Sequence, residues 1–301
     1  MRIAVFGQAT FGKDVFEALV KAGEEVVGVS TPIPGTRPDP LFVAAEAAGL
    51  PIIETPALRK REPLAAFKAW QPDLLVFAFV TDIVRQPVLD AATHGAIQYH
   101  PSLLPRHRGR SAMNWPIIAG ETTTGLTVFW VDEGIDTGPI LLQREVEITP
   151  DDTLGSLYFP RLYPMGVEAL AEAARMVRDG VAPRIPQDHS LGTYDPPCEA
   201  QHARIDFTRP ARVVYNHIRG CDPAPGAYAS LRGARLGIFD TTLTEGHATA
   251  SPGTVTALTD AKAEIAVVGG TLHIGRVQQP VAAKVAAAEV LVVGDVLENG
   301  Q

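Results

Sequence analysis

The fold is decided by the stretch Gln98-Tyr99-His100-Pro101-Ser102-Leu103-Leu104-Pro105-Arg106-His107-Arg108-Gly109. Two short apolar runs, Leu74–Val80 and Gly95–Tyr99, come before His100. Such runs are typical of strands buried on both faces of a parallel sheet in an α/β protein. His100 is therefore predicted where a central strand ends and a loop begins, the edge of an open α/β sheet at which ligands bind. Prolines on both sides of the loop restrict its path.

An acidic turn, Asp132-Glu133-Gly134-Ile135-Asp136-Thr137-Gly138, lies about 36 residues beyond His100. It separates two strand-like segments, Gly125–Val131 and Pro139–Ile148. A histidine at a strand end and a carboxylate on a nearby turn are in outline an acid/base pair. Side chains of an extended strand repeat every second position, so Gln98 and His100 share a face if the strand stays extended. Gln98, His100 and Asp136 are therefore the candidate catalytic residues.

The chain opens with a strand at Arg2–Phe6, an amphipathic helix at Phe11–Ala22 and a second strand at Glu25–Ser30. This βαβ order predicts a parallel sheet. Gly7 and Gly12 do not have the G-x-G-x-x-G spacing of a dinucleotide site, so we expect no NAD(P).

Further helices are predicted at Leu41–Ala48, Pro63–Trp70, Val84–Ala92, Ser111–Ala119 and Pro210–Arg219, and a helical region interrupted by Pro160 and Pro164 is predicted at Leu154–Asp179. The segment 179–199 is rich in Pro, Gly, Asp and His without an apolar period, which is typical of a linker. Short strands separated by glycines follow at 227–231, 235–239, 253–257, 264–268 and 271–275, a pattern that predicts a small β-barrel. We therefore predict a catalytic domain at 1–180, a linker at 181–202 and a second domain at 203–301.

At 301 residues the chain is long enough for two domains. Its net charge of −8 argues against a protein that binds phosphate backbones through clustered Lys and Arg. The start does not resemble a signal peptide, and no apolar run approaches the roughly 18 residues of a membrane span. We therefore expect a cytoplasmic protein without a membrane partner, and the sequence leaves its oligomeric state open.

Cysteine and histidine are spaced without any pattern of metal ligands. Cys198 and Cys221 are interpreted as two unrelated thiols in a reducing compartment. The eight histidines form no H-x-x-x-H pair and no His/Cys cluster, so no metal is expected.

The motifs His100–Pro105, Arg108-Gly109 and Gly134–Gly138 resemble those of the formyltransferase family, whose members handle the formyl group of 10-formyltetrahydrofolate. The resemblance is greatest to the amino-terminal hydrolase domain of 10-formyltetrahydrofolate dehydrogenase, and more distant to methionyl-tRNA formyltransferase. It extends over nearly the whole chain, through Asn114-Trp115, Phe129-Trp130, Pro150–Thr153, Ala182–Arg184 and Ile218–Gly220. It implies an α/β fold: a Rossmann-like domain with a mostly parallel sheet, followed by a small OB-like β-barrel domain.

The resemblance also implies roles for the candidate residues. Asp136 would orient an imidazole or take a proton, and His100 would polarise the formyl oxygen or shuttle a proton. Gln98 would donate to the developing oxyanion, a contact typically worth ~2.7–4 kcal/mol. Ser102 is interpreted as a brace of the loop rather than as a nucleophile. The pterin of the folate substrate would lie between a loop and a turn that contribute Phe79, Val80, Thr81, Ile83, Val131, Asp132, Glu133, Gly134 and Ile135.

Gln98 is a departure from the family pattern, because the transferases have Asn at this position and the hydrolase domain has an apolar residue. The formyl acceptor is therefore left open between water, which would release formate, a small-molecule amine and Met-tRNA. The alternative that is not an enzyme is a regulatory module that binds folate without turnover. tRNA is disfavoured because the loop after the second strand has the single cation Arg37. Residues 201–301 also balance nine Lys and Arg with nine Asp and Glu.

Overall fold

The structure is a computed structural model that describes residues 1–33 and 38–299. It divides into two compact units, the first of Met1–Arg108, Gly125–Glu145 and Arg161–Thr193, and the second of Gly109–Thr124, Val146–Pro160 and Tyr194 onward. The domain bounds at 1–180, 181–202 and 203–301 stay a prediction. Residues 34–37 of the proline-rich loop, with Arg37, lie outside the described residues.

The first sheet is Rossmann-like and mostly parallel, as predicted. Its strands are β1 (Arg2–Gly7), β2 (Glu25–Ser30), β3 (Ile52–Ile53), β4 (Leu74–Ala78), β5 (Ala96–His100), β6 (Thr123–Trp130) and β7 (Ile140–Glu147). Their order in the sheet is β3-β2-β1-β4-β5-β6-β7. Strands β1 to β5 pair in parallel, whereas β6 runs antiparallel to β5 and pairs Thr127 with His100. The strand order reverses between β1 and β4, and ligands of such sheets bind beside that reversal.

The helices of the chain are α1 (Ala9–Lys21), α2 (Pro40–Ala47), α3 (Arg61–Lys68), α4 (Gln86–Leu89), α5 (Asn114–Ala119), α6 (Leu154–Leu157), α7 (Tyr163–Arg178) and α8 (Ala211–Gly220). Helices α4 and α5 begin later than the predicted starts at Val84 and Ser111. Each has a proline in its first turn, Pro87 or Pro116, and proline is tolerated in a helix only there. The two helices therefore begin just ahead of their prolines.

Both faces of the first sheet are buried, in agreement with the apolar runs. Alternate residues of a strand point to opposite faces. Ile3 and Leu74 belong to the core on one face, which includes residues of α1 and α7. Phe6 and Phe77 belong to the core on the other face, together with Phe67 of α3. This packing fixes the carboxyl ends of β4 and β5, where the candidate residues lie.

The second unit contains an antiparallel sheet that curls into a half-barrel, which confirms the predicted barrel-like class. Its strands are β8 (Tyr228–Leu231), β9 (Ala234–Glu245), β10 (Val255–Leu258), β11 (Ala263–Val267), β12 (Gly270–Gln278), β13 (Lys284–Ala286) and β14 (Leu297–Asn299). The long strand β9 pairs with β8 through its first part and with β12 through the rest. The predicted strand at 235–239 was too short, because the polar residues that follow it lack the apolar content of a strand signal.

The interpretation of the cysteines as unrelated is wrong. In the second unit the thiols of Cys198 and Cys221 share a hydrogen bond. This bond lowers the pKa of Cys198, and together with burial it raises the pKa of Cys221. Sequence spacing could not show the pair, since the fold brings the two residues together. Within the described residues, no helix is both long and apolar enough to cross a membrane.

Candidate active site

His100, the last residue of β5, and Asp136, on the turn after β6, form a buried pair in the first unit. Their residues are 4% and 7% exposed. The Nδ1 atom of His100 lies 3.5 Å from Oδ2 of Asp136. A charge-assisted hydrogen bond is usually 2.7–2.9 Å long, and catalytic contacts of this kind often tighten only when substrate is bound.

The other ring nitrogen of His100 fixes the tautomer. Its Nε2 atom lies 2.8 Å from the main-chain carbonyl oxygen of His107. A carbonyl oxygen can only accept, so Nε2 carries the proton and Nδ1 faces the carboxylate of Asp136. The imidazole therefore lies between two acceptors, an arrangement that complements the imidazolium formed when the ring takes up a proton.

Gln98 precedes His100 by two positions on β5 and reaches the same carboxylate. Its Nε2 atom donates to Oδ1 of Asp136 at 3.5 Å, while His100 faces Oδ2. Both side chains thus project from β5 toward Asp136, which is the arrangement expected of an extended strand. The three candidate catalytic residues are brought together, with an amide donor, an imidazole and a carboxylate in contact.

The loop after β5 is held to the neighbouring strand β6. Thr127 donates its hydroxyl to the carbonyl oxygen of Ser102 at 2.7 Å and accepts from the main-chain N–H of Leu104 at 3.1 Å. The Ser102 hydroxyl donates to the carbonyl oxygen of Arg106 at 2.7 Å. Ser102 therefore braces the loop, in agreement with the prediction from the sequence.

A segment that sequence reasoning treated as linker, residues 187–193, contacts both sides of the site. The buried amide of Gln187 donates to the carbonyl oxygens of Asp136 and Gly138, at 3.0 and 2.7 Å. Its oxygen accepts from Arg108 at 2.7 Å. Thr193 accepts from the main-chain N–H groups of His107 and Arg108, through its hydroxyl at 2.7 Å and its carbonyl at 2.9 Å. No apolar period marks this segment, so the sequence carried no signal for it.

The acidic turn is held from within by Asp132. Its carboxylate accepts from the N–H of Gly134 at 3.0 Å and from the hydroxyl of Thr137 at 2.7 Å. Asp136 itself has a φ of 55°, the left-handed region that side chains rarely adopt. Residues with such conformations persist where the surroundings hold them, and they cluster at functional sites.

The residues predicted to contact the pterin fall into two groups. Phe79, Val80 and Thr81 follow β4 and line a cavity of about 100 Å³ at the reversal of the sheet, with Asp82 and with residues that follow β1, β2 and β3. The remaining lining residues are Gly7, Gln8, Pro32, Glu54, Thr55 and Pro56. Ile83 lines a separate small cavity, and the predicted residues of the turn, 131–135, line neither of these two cavities.

Three of the residues predicted to contact the pterin expose large apolar side chains. Phe79 is 51% exposed, Ile83 is 77% exposed and Ile135 is 62% exposed. Apolar side chains of this size are suited to cover the faces of a flat ring. In the described part of the chain, no group of three or more His, Cys, Asp or Glu is placed to hold a metal ion.

The chain thus combines a Rossmann-like unit, with a buried His–Asp pair at the carboxyl end of its sheet, and a β half-barrel. Residues 1–173 match the family described as formyl transferase, and residues 198–292 match the C-terminal domain of formyl transferases. The chain belongs to the formyl transferase family.

Relatives of different lengths resemble the chain. It is 43% identical over 245 residues to the cytosolic 10-formyltetrahydrofolate dehydrogenase of Xenopus tropicalis, and the aligned region covers 79% of this chain and 27% of that protein. It is 35% identical over 288 residues to the methionyl-tRNA formyltransferase of Syntrophus aciditrophicus, and the aligned region covers 92% of this chain and 90% of that protein. The chain thus spans about a quarter of the length of the dehydrogenases that it matches.

The fold is shared with HypX from Aquifex aeolicus, whose crystal structure is a complex with tetrahydrofolic acid. The TM-score is 0.72 at 22% identity, and the similarity covers 97% of this chain and 47% of that one. Identity this low supports the fold alone.

Proposed function

We propose that the protein hydrolyses 10-formyltetrahydrofolate to tetrahydrofolate and formate. The observation that carries the proposal is the contact of Gln98, His100 and Asp136 at the carboxyl end of β5. The 43% sequence identity to a 10-formyltetrahydrofolate dehydrogenase also supports a folate substrate. The surface of residues 79–83 and 131–135 is proposed to receive the pterin.

The chemistry has three requirements, and the residues of the site suit each of them. Asp136 accepts a proton from the attacking water, whose oxygen forms a bond to the formyl carbon. The amide of Gln98 donates an N–H to the formyl oxygen and stabilises the negative charge that develops there. The proton that Asp136 has taken passes to Nδ1 of His100, which lies 3.5 Å from Oδ2 of the carboxylate. The imidazolium gives this proton to N10 as the bond from the formyl carbon to N10 breaks. Water and the formyl folate are thereby converted into formate and tetrahydrofolate, with no other reactant.

Transfer to an amine of a small molecule is the second candidate. It is favoured by Gln98, because an amide at this position matches the donor group of the transferases in the resemblance. Met-tRNA is a weaker acceptor candidate, although the similarity to a methionyl-tRNA formyltransferase covers most of both chains. The nine Lys and Arg of residues 201–301 are balanced by nine acidic residues, which provides no net charge for an acceptor stem.

The test is a timed incubation of the purified chain with 10-formyltetrahydrofolate alone, in which tetrahydrofolate and formate are both measured. His100→Ala and Asp136→Ala are compared with His247→Ala, which removes an exposed imidazole in the second unit. We expect the wild type and His247→Ala to release equal amounts of the two products, and the two site variants to release none.

Each other outcome favours a different conclusion. Turnover that begins only when an amino-sugar nucleotide or another primary amine is added would replace hydrolysis with transfer. Turnover that begins only with Met-tRNA would assign the third acceptor. Folate binding without turnover under all of these conditions would indicate a folate-binding regulatory module. Absence of folate binding would overturn the assignment of a folate substrate.

A further inference from the structure

Residues 187–193 contact the groups on both sides of the His100 imidazole. On the Nε2 side, the acceptor is the carbonyl of His107, whose N–H donates to the Thr193 hydroxyl at 2.7 Å. On the Nδ1 side, the partner is Asp136, whose main-chain carbonyl accepts from Gln187 at 3.0 Å. One short segment thus sets where both neighbours of the imidazole lie.

We propose that Gln187 is a positioning residue, which holds Asp136 in register with His100 through the main chain of the acidic turn. This inference rests on the proposed function for its activity assay. Gln187 does not touch the reacting atoms, so it acts through Asp136.

The hydrogen bonds of Gln187 define its orientation. Both N–H groups of the amide are used, on the carbonyls of Asp136 and Gly138. The amide oxygen accepts from Arg108 at 2.7 Å. A flipped amide would set its oxygen against two carbonyl oxygens and its N–H groups against a guanidinium. The side chain is 6% exposed, so water cannot easily replace these bonds.

Asp136 needs such support because of its backbone conformation. Its φ of 55° is unfavourable for a residue with a side chain, so the turn can relax if its bonds are lost. The bonds from Gln187 reach the turn on either side of Thr137. Asp132 holds the earlier part of the turn through the N–H of Gly134, and its second bond, from the Thr137 hydroxyl, joins that part to the segment that Gln187 holds.

This division of the turn predicts a separation of kinetic effects. Loss of the Gln187 donors moves Asp136, whereas the half of the turn proposed to meet the pterin keeps its own bonds. A displacement of catalytic groups by about 1 Å can cost about 100-fold in rate. We therefore expect kcat to fall by about 10- to 100-fold in Gln187→Met while KM for 10-formyltetrahydrofolate changes less than about threefold.

Three further variants make the test specific. Gln187→Glu keeps an oxygen acceptor for Arg108 but has no N–H for the turn, so we expect it to lose as much kcat as Gln187→Met. Asp132→Ala breaks the other half of the turn and should raise KM more than it lowers kcat. Gln278→Met is the matched control, since it removes an amide that donates to the main-chain carbonyl of Ala282 at 2.8 Å in the second unit.

A spectroscopic measurement separates this proposal from the proposed function. The imidazole nitrogen resonances of His100, assigned by their loss in His100→Asn, report the contact with Asp136 whichever acceptor the enzyme uses. We expect them to shift in Gln187→Met and to stay in place in Gln278→Met. Thermal unfolding of each variant establishes that it is folded.

Two results would overturn the positioning role. The first is wild-type kcat and unchanged His100 resonances in Gln187→Met. The second is wild-type kcat in Gln187→Glu alone, which would mean that the residue acts through Arg108 and not through Asp136. If the wild type itself releases no formate but the His100 resonances still shift, the proposed function fails and the positioning role stands.

Discussion

Gly138, the last residue of the acidic turn, allows the turn to lie against strand β6. A Cβ atom added to it would lie 1.7 Å from the carbonyl oxygen of Trp130 and 2.9 Å from the carbonyl carbon. Such atoms essentially never approach within 3.0 Å, and the obstacle here is backbone, which cannot rotate away. In Gly138→Ala the turn and the strand must therefore separate by more than about 1 Å, and Asp136 moves with the turn.

The magnitude follows from that displacement. A shift of about 1 Å in a catalytic group costs about 100-fold in rate, which corresponds to about 2.7 kcal/mol of activation free energy. We expect Gly138→Ala to lower kcat at saturating folate by this factor. The assay is tetrahydrofolate formation, which measures turnover with any acceptor.

The control is Gly180→Ala. Gly180 has a φ of 70° and nothing within 4 Å of an added Cβ, so the substitution strains the backbone without a clash. It should lower the free energy of unfolding by about 1–2 kcal/mol and leave kcat unchanged. A Gly138→Ala enzyme that retains more than half of the wild-type kcat would refute the reasoning, as would an equal loss of kcat in the control.

Two predictions concern stability. Phe67→Ala removes a fully buried ring that contacts Phe6 and Trp70. We expect it to lower the free energy of unfolding in urea by about 3–5 kcal/mol, whereas Phe159→Ala, at an exposed position, should lower it by less than about 0.5 kcal/mol. Equal losses in the two variants would contradict the assigned core. Burial lowers the pKa of His217 below its ordinary value of 6.5. As the pH falls below 6.5, the imidazole is therefore protonated in the unfolded chain before it is protonated in the folded chain. The free energy of unfolding should therefore fall as the pH decreases through 6.5. The unfolding temperature of His217→Gln should depend less on pH than that of the wild type, and an equal dependence would contradict the role of His217.

The sequence was sufficient for the class of the fold because the signals involved are local. Apolar runs marked β4 and β5, and turn chemistry marked the ends of strands, so the Rossmann-like sheet and the place of His100 followed from short-range patterns. Strand alternation predicted the shared face of Gln98 and His100, and the family resemblance placed Asp136 beside the imidazole, but the contact of Gln98 with Asp136 was found only in the structure.

The features that the sequence did not predict depend on distant parts of the chain. Cys198 and Cys221 meet through tertiary packing, and neither has a spacing that suggests it. Gln187 contacts a turn about 50 residues earlier in the chain, and its own segment has the composition of a linker. Periodicity describes the elements of a fold, but it has no information about which irregular segment packs on which turn.

The position of residues 187–193 along the chain has a consequence for how the site is completed during synthesis. The motifs from His100 to Gly138 are synthesised before Gln187 and Thr193. A nascent chain that has emerged only as far as α7 holds His100 and Asp136, but it does not yet hold the bonds that seat His107 and the acidic turn. The candidate active site therefore acquires its final geometry only after the Rossmann-like sheet has been synthesised.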